Sequence, residues 1–345
     1  MIRLIFKKKA TLLLIFLSIN FAQAQWKKQN SGTDASFRSI HALSKKNVWA
    51  GGSRGTILRT KNGGNSWQII HVEGAETLDF RDIYGVNYKI AYAMSAGNAE
   101  DGAAKVFKTI DGGVTWKVVL HRTDKGVFFD SMDFWNENEG ILIGDPIDDK
   151  PFIMRTLNGG DSWQRIEKDK LPVVLEGEAS FASSGTCVVT KANGKAWLNT
   201  QSRVLFTPDK GETWQVYQTP FKQGLTSGIF GLHFWNENEG VAVGGDYKND
   251  KQKVDAERRP NVAITQDSGK TWKFLAAAQP YGLKESGWML PNKNLLLVGT
   301  SGTSLLDESK STWKAIDIES FHAVSCFKDA CWAIGGKGNL AKWVK

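Results

Sequence analysis

The stretch GGSRGTILRTKNGGNSW, at residues 51–67, contains two short apolar segments separated by a turn and ends on a tryptophan. Shorter copies of its last part, with Gly before a Ser-Trp or Thr-Trp pair, recur along the chain. The tryptophans that end the phrase and its worn copies are Trp67, Trp116, Trp163, Trp214, Trp272 and Trp313, at intervals of 41 to 58 residues. A period of roughly 40–50 residues in a sequence of short β-type segments is typical of propeller blades.

Each repeat divides into four short segments separated by turns rich in Gly and Asn. In the first repeat these strands are predicted at 37–43, 48–52, 56–60 and 66–70. Alternation of apolar and polar residues between such turns indicates half-buried antiparallel strands. A second duplication, FWNENEG at 134–140 and again at 234–240, supports the repeat.

The number of first strands predicts the number of blades. These strands are expected to begin near Phe37, Phe80, Phe129, Glu178, Ile229, Ser286 and Phe321. We therefore predict an all-β fold, a seven-bladed propeller of four-stranded antiparallel blades. The last repeat stops one strand short, and residues 25–28 (QWKK) resemble the missing strand, with Trp26 in the place of the repeat tryptophan. We expect the N-terminal strand to complete the last blade, because closure leaves no open edge between the first and last blades.

The N-terminal 24 residues have the pattern of a secretory signal. A basic start ends in Lys7-Lys8-Lys9, an apolar stretch follows over residues 10–21, and Ala22-Gln23-Ala24 forms an A-x-A cleavage site. We expect cleavage near Ala24/Gln25, leaving residues 25–345 as a single propeller domain. This domain is predicted to be monomeric, without a transmembrane segment, and exported to the periplasm or the medium.

Charge and cysteine content exclude several functional classes. The formal charge is +8, but removing the leader leaves 40 basic against 36 acidic residues, too mild an excess to indicate nucleic-acid binding. No cofactor or metal site is expected, because the five histidines show no ligand spacing and no dinucleotide or phosphate loop is present. Cys326 and Cys331 flank a short turn and either pair as a disulfide or remain two buried thiols, whereas Cys187 is expected in the core.

The residues that recur once per blade are predicted to be structural. A tryptophan wedged between blades buries roughly 150–250 Å², and we favour that role over a sugar-stacking platform. The acidic or amide side chain of the phrase is expected to cap its own turn. These residues are Asp111, Asn158, Asp209 and Asp267, with the six tryptophans given above.

The phrase resembles the Asp box, or bacterial neuraminidase repeat. The fuller pattern, visible at 51–67 and partly at 299–313 and 335–343, is similar to the photosystem II stability/assembly-factor propellers and their relatives in non-photosynthetic bacteria. That resemblance covers essentially the whole chain after the leader. It implies an exported, non-enzymatic propeller that binds a partner protein during complex assembly, and it does not imply a photosynthetic client.

Loops of variable length lie on one face of the predicted propeller. The channel mouth on this face is surrounded by polar residues, which stand where first strands begin and second strands end. A ligand site at this mouth is predicted from Arg38, Arg54, Arg81, Asp130, Asp145, Glu178, Asp246 and His322. Arginines and carboxylates around one opening can bind an anionic or polyhydroxylated ligand. The alternative is that these charges pair with one another. The charged loop at 246–260 is either a lid or a solvated loop.

Two functions remain open from the sequence. The first is a non-catalytic binding or assembly module that uses the variable-loop face, with a protein of the cell envelope or a glycan as its partner. The second is a sialidase-like glycoside hydrolase at the channel mouth, which needs two suitably separated carboxyl groups. Residues 37–40 (FRSI) faintly resemble the F-R-I-P signature of sialidases; Arg203 with Arg258 or Arg259 could add to Arg38, and Tyr247 could attack.

Overall fold

The computed structural model describes residues 25–248, 259–307, 309 and 311–344. The chain forms seven four-stranded antiparallel sheets. Each sheet is a blade whose first strand lies beside the first strands of the neighbouring blades, so that the seven first strands form a closed ring around a channel. The described residues include two short 3₁₀ turns, Ala99–Asp101 and Lys168–Lys170. The predicted seven-bladed propeller is confirmed.

The inner half of each blade is largely buried. The first strands of blades 1 to 7 are Phe37–Ala42, Asp79–Gly85, Phe129–Phe134, Val188–Thr190, Ser227–Phe234, Ser286–Met289 and Ala323–Phe327. The second strands are Val48–Gly52, Ala91–Ala96, Gly140–Ile147, Ala196–Asn199, Gly240–Asp246, Leu295–Val298 and Ala330–Ile334.

The outer half of each blade becomes progressively more exposed. The third strands are Thr56–Thr60, Lys105–Thr109, Lys150–Thr156, Arg203–Thr207, Val262–Thr265, Thr303–Asp307 and Leu340–Val344. The fourth strands are Gln68–His71, Lys117–His121, Gln164–Arg165, Gln215–Gln218, Lys273–Phe274, Thr312–Asp317 and, for blade 7, Gln25–Lys28.

Ring closure follows the prediction. Gln25–Lys28 pairs antiparallel with Leu340–Val344, and Trp26 is opposite Trp343 with their rings edge to face at 5.0 Å. The Trp26 indole N–H also donates to the Thr303 hydroxyl of blade 6 at 2.9 Å. The N-terminal strand therefore joins blade 7 to blade 6 as well as completing its own sheet.

The hydrophobic core lies between neighbouring blades. Trp49, on the second strand of blade 1, is fully buried and packs in one cluster with Phe80 and Phe107 of blade 2. The repeat tryptophan Trp116 meets the Trp49 ring edge-on, with centroids 6.1 Å apart. Such aromatic pairs across blade interfaces contribute about 0.5–1.5 kcal/mol each beyond the area they bury.

Blade 4 departs from the prediction. Its first strand begins at Val188, whereas the sequence placed the start near Glu178. The preceding segment ASFASSGTC, residues 179–187, lacks strand alternation. Its Ala179 and Cys187 carbonyls accept from N–H groups of blade 4, whereas its Thr186 carbonyl accepts from the Leu232 N–H of blade 5. We call residues 179–187 the plug segment, because its contacts span the channel, as described below.

Candidate functional site

The repeat turns form hydrogen-bonded loops on the face opposite the channel mouth. In blade 2 the Thr109 hydroxyl donates to Asp111 Oδ1 at 2.9 Å and accepts from the Gly113 N–H at 2.8 Å. The Thr115 N–H and hydroxyl both donate to Asp111, and the hydroxyl bond is the main cause that lowers the Asp111 pKa to about 2. Blades 4 and 5 build the same set of bonds on Asp209 and Asp267. In blades 1 and 3 the side-chain oxygens of Asn62 and Asn158 accept in the same way, but their amide N–H groups donate to the following serine hydroxyl.

The repeat tryptophans are half-buried in the blades. Trp163 packs edge-on against Phe134, and Trp272 packs edge-on against Phe234. The indole N–H groups of Trp67, Trp214, Trp272 and Trp313 donate to protein oxygens within the fold. None of the six tryptophans lines either of the two cavities of about 400 and 520 Å³ described below.

The first strands of four blades carry a one-residue bulge where they begin. Pairing skips Arg38 in blade 1, Arg81 in blade 2, Asp130 in blade 3 and Phe230 in blade 5. A bulge leaves its extra residue out of the ladder and re-aims the side chain. Each bulge here adds one side chain to the wall of the same cavity at the channel mouth.

The plug segment closes the channel beneath this cavity. Arg81 donates to the Ala182 carbonyl at 2.9 Å, and the Ser184 hydroxyl donates to the Glu285 carbonyl of blade 6 at 2.9 Å. Gly185 has φ +64°, and a Cβ on it would lie 2.6 Å from Asp82 Oδ1 and 3.0 Å from Ser39 Cβ. A residue larger than glycine would not fit this crossing. The mouth is therefore a blind cavity with a floor.

We call this cavity the mouth cup; its volume is about 400 Å³. It is lined by Arg38, Arg81, Phe128, Asp130, Asp145, Ser180, Phe181, Ala182, Ser183, Phe230, Tyr247, Leu283, Glu285, Thr300 and His322. Phe181 and Phe230 stack with centroids 4.1 Å apart, and the Tyr247 ring stands edge-on to both. The wall of the cup thus combines aromatic rings with charged groups.

The cations of the mouth cup already have carboxylate partners. Arg81 Nε lies 2.6 Å from Asp79 Oδ2, and Arg38 lies 3.6 Å from Glu285 Oε1. His322 Nδ1 contacts the second oxygen of Glu285 at 2.8 Å. Burial is the main cause that lowers the Arg38 pKa from its ordinary value, followed by the neighbouring Arg81 charge.

Two carboxyl groups of blade 3 lack such partners. Asp130 is almost completely buried, and its Oδ2 accepts no hydrogen bond; Asp145 Oδ1 accepts none either. Burial, and then the charge of Asp145, raise the Asp130 pKa well above its ordinary value, and Arg81 opposes this only in part. Burial also raises the Asp145 pKa, against a hydrogen bond from the Ser180 N–H.

The structure brings five of the eight predicted mouth residues together: Arg38, Arg81, Asp130, Asp145 and His322. Arg54 lies outside the cup and pairs with Asp34 on the surface. Glu178 is buried in an ion pair with Arg203 and also accepts from the Thr200 hydroxyl at 2.5 Å. Both are therefore committed to contacts outside the cup.

Asp246 accepts from the Thr226 hydroxyl at 2.8 Å and lines a second cavity of about 520 Å³, which Arg259 also lines. Most of the charged loop at 246–260, including Arg258, falls on residues 249–258 and lies outside the described residues. The lid hypothesis therefore stays untested.

Sequence reasoning missed Phe230, Glu285 and the plug segment. A signal for the first two exists in the sequence, because cup residues follow an apolar or basic residue and precede a small one. Phe37-Arg38-Ser39, Phe129-Asp130-Ser131, Ile229-Phe230-Gly231 and Lys284-Glu285-Ser286 share this arrangement. No local pattern indicates that residues 179–187 leave the blade, since their partners are distant in the sequence.

Cys326 and Cys331 form a disulfide across the first hairpin of blade 7, with their Cα atoms 4.0 Å apart. Cys187 is a buried free thiol, as its apolar surroundings in the sequence predicted. Among the described residues, no group of three or more metal-ligating side chains could hold an ion. Within the same residues, no helix has the length and apolar character that crossing a membrane requires.

Comparisons with known proteins agree with this architecture. A family model described as photosynthesis system II assembly factor YCF48 matches residues 86–178. The photosystem II stability/assembly factor HCF136 of rice is 23% identical over 329 residues, and that of Arabidopsis thaliana is 22% identical over 307. The chain is a seven-bladed propeller similar to the photosystem II assembly factors. The alignments cover 84% of this chain but only 64% and 60% of the rice and Arabidopsis proteins, so the chain matches less than two thirds of their length.

Solved structures share the fold of this assembly factor-like propeller at low sequence identity. YCF48 bound to a D1 peptide has a TM-score of 0.66 at 15% identity, covering 94% of this chain and 98% of that one. YCF48 from Cyanidioschyzon merolae has a TM-score of 0.65 at 15% identity, covering 93% and 99%. A streptogramin B lyase has a TM-score of 0.66 at 11% identity, covering 93% and 97%. These likenesses show the fold and not the activity.

Proposed function

We propose that this protein is an exported, non-catalytic binding module that holds a segment of a partner protein in the mouth cup during assembly of a cell-envelope complex. Export is supported by the basic, apolar and A-x-A pattern of residues 1–24, which lie outside the described residues. After cleavage, residues 25–345 form the single binding domain, and we expect it to act as a monomer.

The observation that carries this proposal is the mouth cup itself. Chain from six blades and from the plug segment converges on one blind cavity, and the charged and aromatic groups in its wall differ from blade to blade. Variable residues on a rigid ring are the arrangement in which binding sites occur. A protein segment as ligand agrees with the solved relative YCF48, which was found with a D1 peptide.

Site-specific photocrosslinking tests where the partner binds. A photoreactive phenylalanine analogue replaces Tyr247, which stands at the rim of the cup with half of its surface exposed. The matched control places the same analogue at Val114, which is 81% exposed in a repeat turn on the opposite face. The experiment is done in the native host, and crosslinked proteins are identified by mass spectrometry.

The proposal expects one defined protein, crosslinked from position 247 and not from position 114. Crosslinks from position 114 alone would contradict the assignment of the binding face. Crosslinks from neither position, with the protein present in the cell envelope at normal abundance, would contradict a protein partner at either face.

Hydrolysis at the mouth is the second candidate, and one observation favours it. Asp130 is a buried carboxyl group with a raised pKa in a cavity, as general acids of glycosidases are. A sialidase-like site would need a cluster of arginines, and the described residues do not form one at the mouth cup. Arg203 forms an ion pair with Glu178, and Arg259 lines the other cavity. Turnover of chromogenic glycosides that disappears in Asp130→Asn would establish the hydrolase, and no turnover by pure wild-type protein would exclude it for the glycosides tried.

A further inference from the structure

The charges around the mouth cup are not balanced. Two arginines face four carboxyl groups: Asp79 on Arg81, Glu285 on Arg38, and then Asp130 and Asp145. His322 shares Glu285 with Arg38 through its Nδ1 atom. Among the described residues, no lysine or arginine lies within ion-pair distance of Asp130 or Asp145. The sequence suggested an anion site at the arginines, but the unmatched groups are the carboxyls.

The unmatched oxygens are buried in the wall of the cavity rather than exposed to solvent. Asp130 is 1% exposed and Asp145 is half-buried, and one oxygen of each has no donor. A buried acceptor without a partner costs about 1–3 kcal/mol, so groups of this kind mark places where a ligand supplies the missing hydrogen bonds. Both groups lie on blade 3, Asp130 on the first strand and Asp145 on the second, and both line the cup.

The aromatic part of the wall determines what kind of donor fits. The stacked Phe181 and Phe230 rings and the edge of Tyr247 form an apolar and aromatic surface. An alkyl chain can lie along this wall, and aromatic faces attract a cation within about 6 Å. A metal ion would need more ligands than the described residues provide.

We propose that the Asp130 and Asp145 carboxyl groups bind the primary ammonium of a lysine side chain from the partner segment, with its alkyl chain along Phe181 and Phe230. This inference rests on the proposed function and names the chemistry that the mouth cup recognises. An ammonium group has three N–H donors, enough for one oxygen of each carboxyl group, and its charge lets both carboxyl groups ionise. The arginines, each held by its own carboxylate, shape the cup and do not bind the ligand.

The test measures binding of Nα-acetyl-lysine N-methylamide to the mature protein by NMR, at concentrations up to tens of millimolar. Its norleucine analogue has nearly the same shape without the ammonium and is the ligand control. We expect saturable binding of the lysine compound, and binding of the norleucine compound at least about 30-fold weaker, since an unpaired buried charge has an effect of that size or larger.

Protein variants locate the subsite. Asp130→Asn keeps the size of the side chain and should weaken lysine binding by about 30-fold, and Asp145→Asn gives an independent second variant. Asp161→Asn is the matched control, because Asp161 is an exposed carboxylate whose partner is Lys108 at 2.8 Å in a repeat turn. The control should bind as the wild type does. Melting curves check that every variant is folded.

Equal binding of the lysine and norleucine compounds, or no binding of the lysine compound, would overturn the inference. Binding of cadaverine without the lysine compound would also overturn it, in favour of a free amine. Calcium binding that is lost in Asp130→Asn, without lysine binding, would replace it with a metal site. Crosslinking at position 247 is independent of all these outcomes, so a protein partner found there would keep the proposed function even if the lysine subsite failed.

Discussion

The carboxyl groups at the two faces of the propeller are in opposite electrostatic conditions. On the repeat-turn face, Asp111, Asp209 and Asp267 accept several hydrogen bonds near solvent, and their pKa values lie below the ordinary value. At the channel, burial raises the pKa of Asp82 to about 8 and that of Asp130 well above its ordinary range. The turn carboxylates stabilise the fold as anions, whereas burying the channel carboxyl groups costs free energy.

This difference separates structure from function. The turn carboxyls recur with the same partners in blade after blade, so each serves its own loop. The two cup carboxyls with an unpaired oxygen, Asp130 and Asp145, occur in blade 3 alone, and both residues line the cavity. Repeated chemistry in a propeller therefore indicates scaffold, and chemistry present in one blade indicates a site. The predictions below test this separation through stability and binding.

Deleting residues 25–32 should have the largest effect. The deletion removes the fourth strand of blade 7, the Trp26 ring contacts with Trp343 and Phe321, and the bond to Thr303. We expect a loss of about 5 kcal/mol or more, because several buried aromatic and backbone contacts disappear together. Thermal unfolding followed by circular dichroism measures it, with Gln25→Ala, at an exposed position, as the control. An unchanged melting temperature in the deletion would contradict the closure.

Asp82→Asn should change how stability depends on pH. Asp82 accepts from Met132 N–H at 2.7 Å and the Ser131 hydroxyl at 2.8 Å, and an amide oxygen can keep both bonds. Burial raises the pKa of the Asp82 carboxyl to about 8 in the folded state, against about 4 in the unfolded state. The protonated Asp82 side chain therefore contributes its full stabilisation below pH 4, and this contribution is lost as the pH rises through 8.

Above pH 8, the free energy of unfolding of the variant should therefore be about 2–3 kcal/mol higher than that of the wild type. Between pH 4 and 8, the free energy of unfolding of the variant should fall less steeply with rising pH. Urea unfolding across this pH range measures the slope, and Asp161→Asn is the control. Parallel slopes for Asp82→Asn and the wild type would mean that Asp82 is not the buried neutral acid described here.

Thr109→Val should reduce stability through a repeat turn. The valine keeps the shape but leaves the buried Gly113 N–H without the hydroxyl that accepts it at 2.8 Å. We expect a loss of about 1–2 kcal/mol. Val114→Ala, in the same turn with an exposed side chain, should stay within about 0.5 kcal/mol of the wild type. If the two variants unfold alike, the turn hydrogen bonds do not support the blade.

Arg54→Ala should have the smallest effect. Arg54 is exposed, and it contacts Asp34 rather than the mouth cup. Exposed ion pairs contribute about 0–1 kcal/mol, so we expect a change within about 0.5 kcal/mol and unaltered binding of the lysine compound. Isothermal calorimetry and a melting curve check both. Weakened binding would mean that Arg54 belongs to the ligand site at the channel mouth, as the sequence predicted.

The repeat made most of the fold predictable. Four strands per repeat, seven blades and closure by Trp26 all follow from local patterns that recur, and the structure confirms them. The start of blade 4 did not follow. Its plug segment is fixed by contacts with Asp82, Glu285 and Phe230, which lie far away in the sequence.

The site was predictable only as a set of positions. Starts of first strands gave Arg38, Arg81, Asp130 and His322, because blade geometry carries that position to the channel mouth. Which charged side chains form ion pairs at the mouth depends on distances between blades, which the sequence does not give. The pairing of Glu285 with Arg38 and His322, and that of Glu178 with Arg203, therefore could not be predicted.

The separation of scaffold from site is tested most directly by comparing Asp130→Asn with Thr109→Val in two measurements on each protein. These are the free energy of unfolding in urea and the dissociation constant for Nα-acetyl-lysine N-methylamide. We expect Asp130→Asn to keep or gain stability and lose binding, and Thr109→Val to lose stability and keep binding. The opposite pattern, with Asp130→Asn destabilised and still binding, would contradict the account.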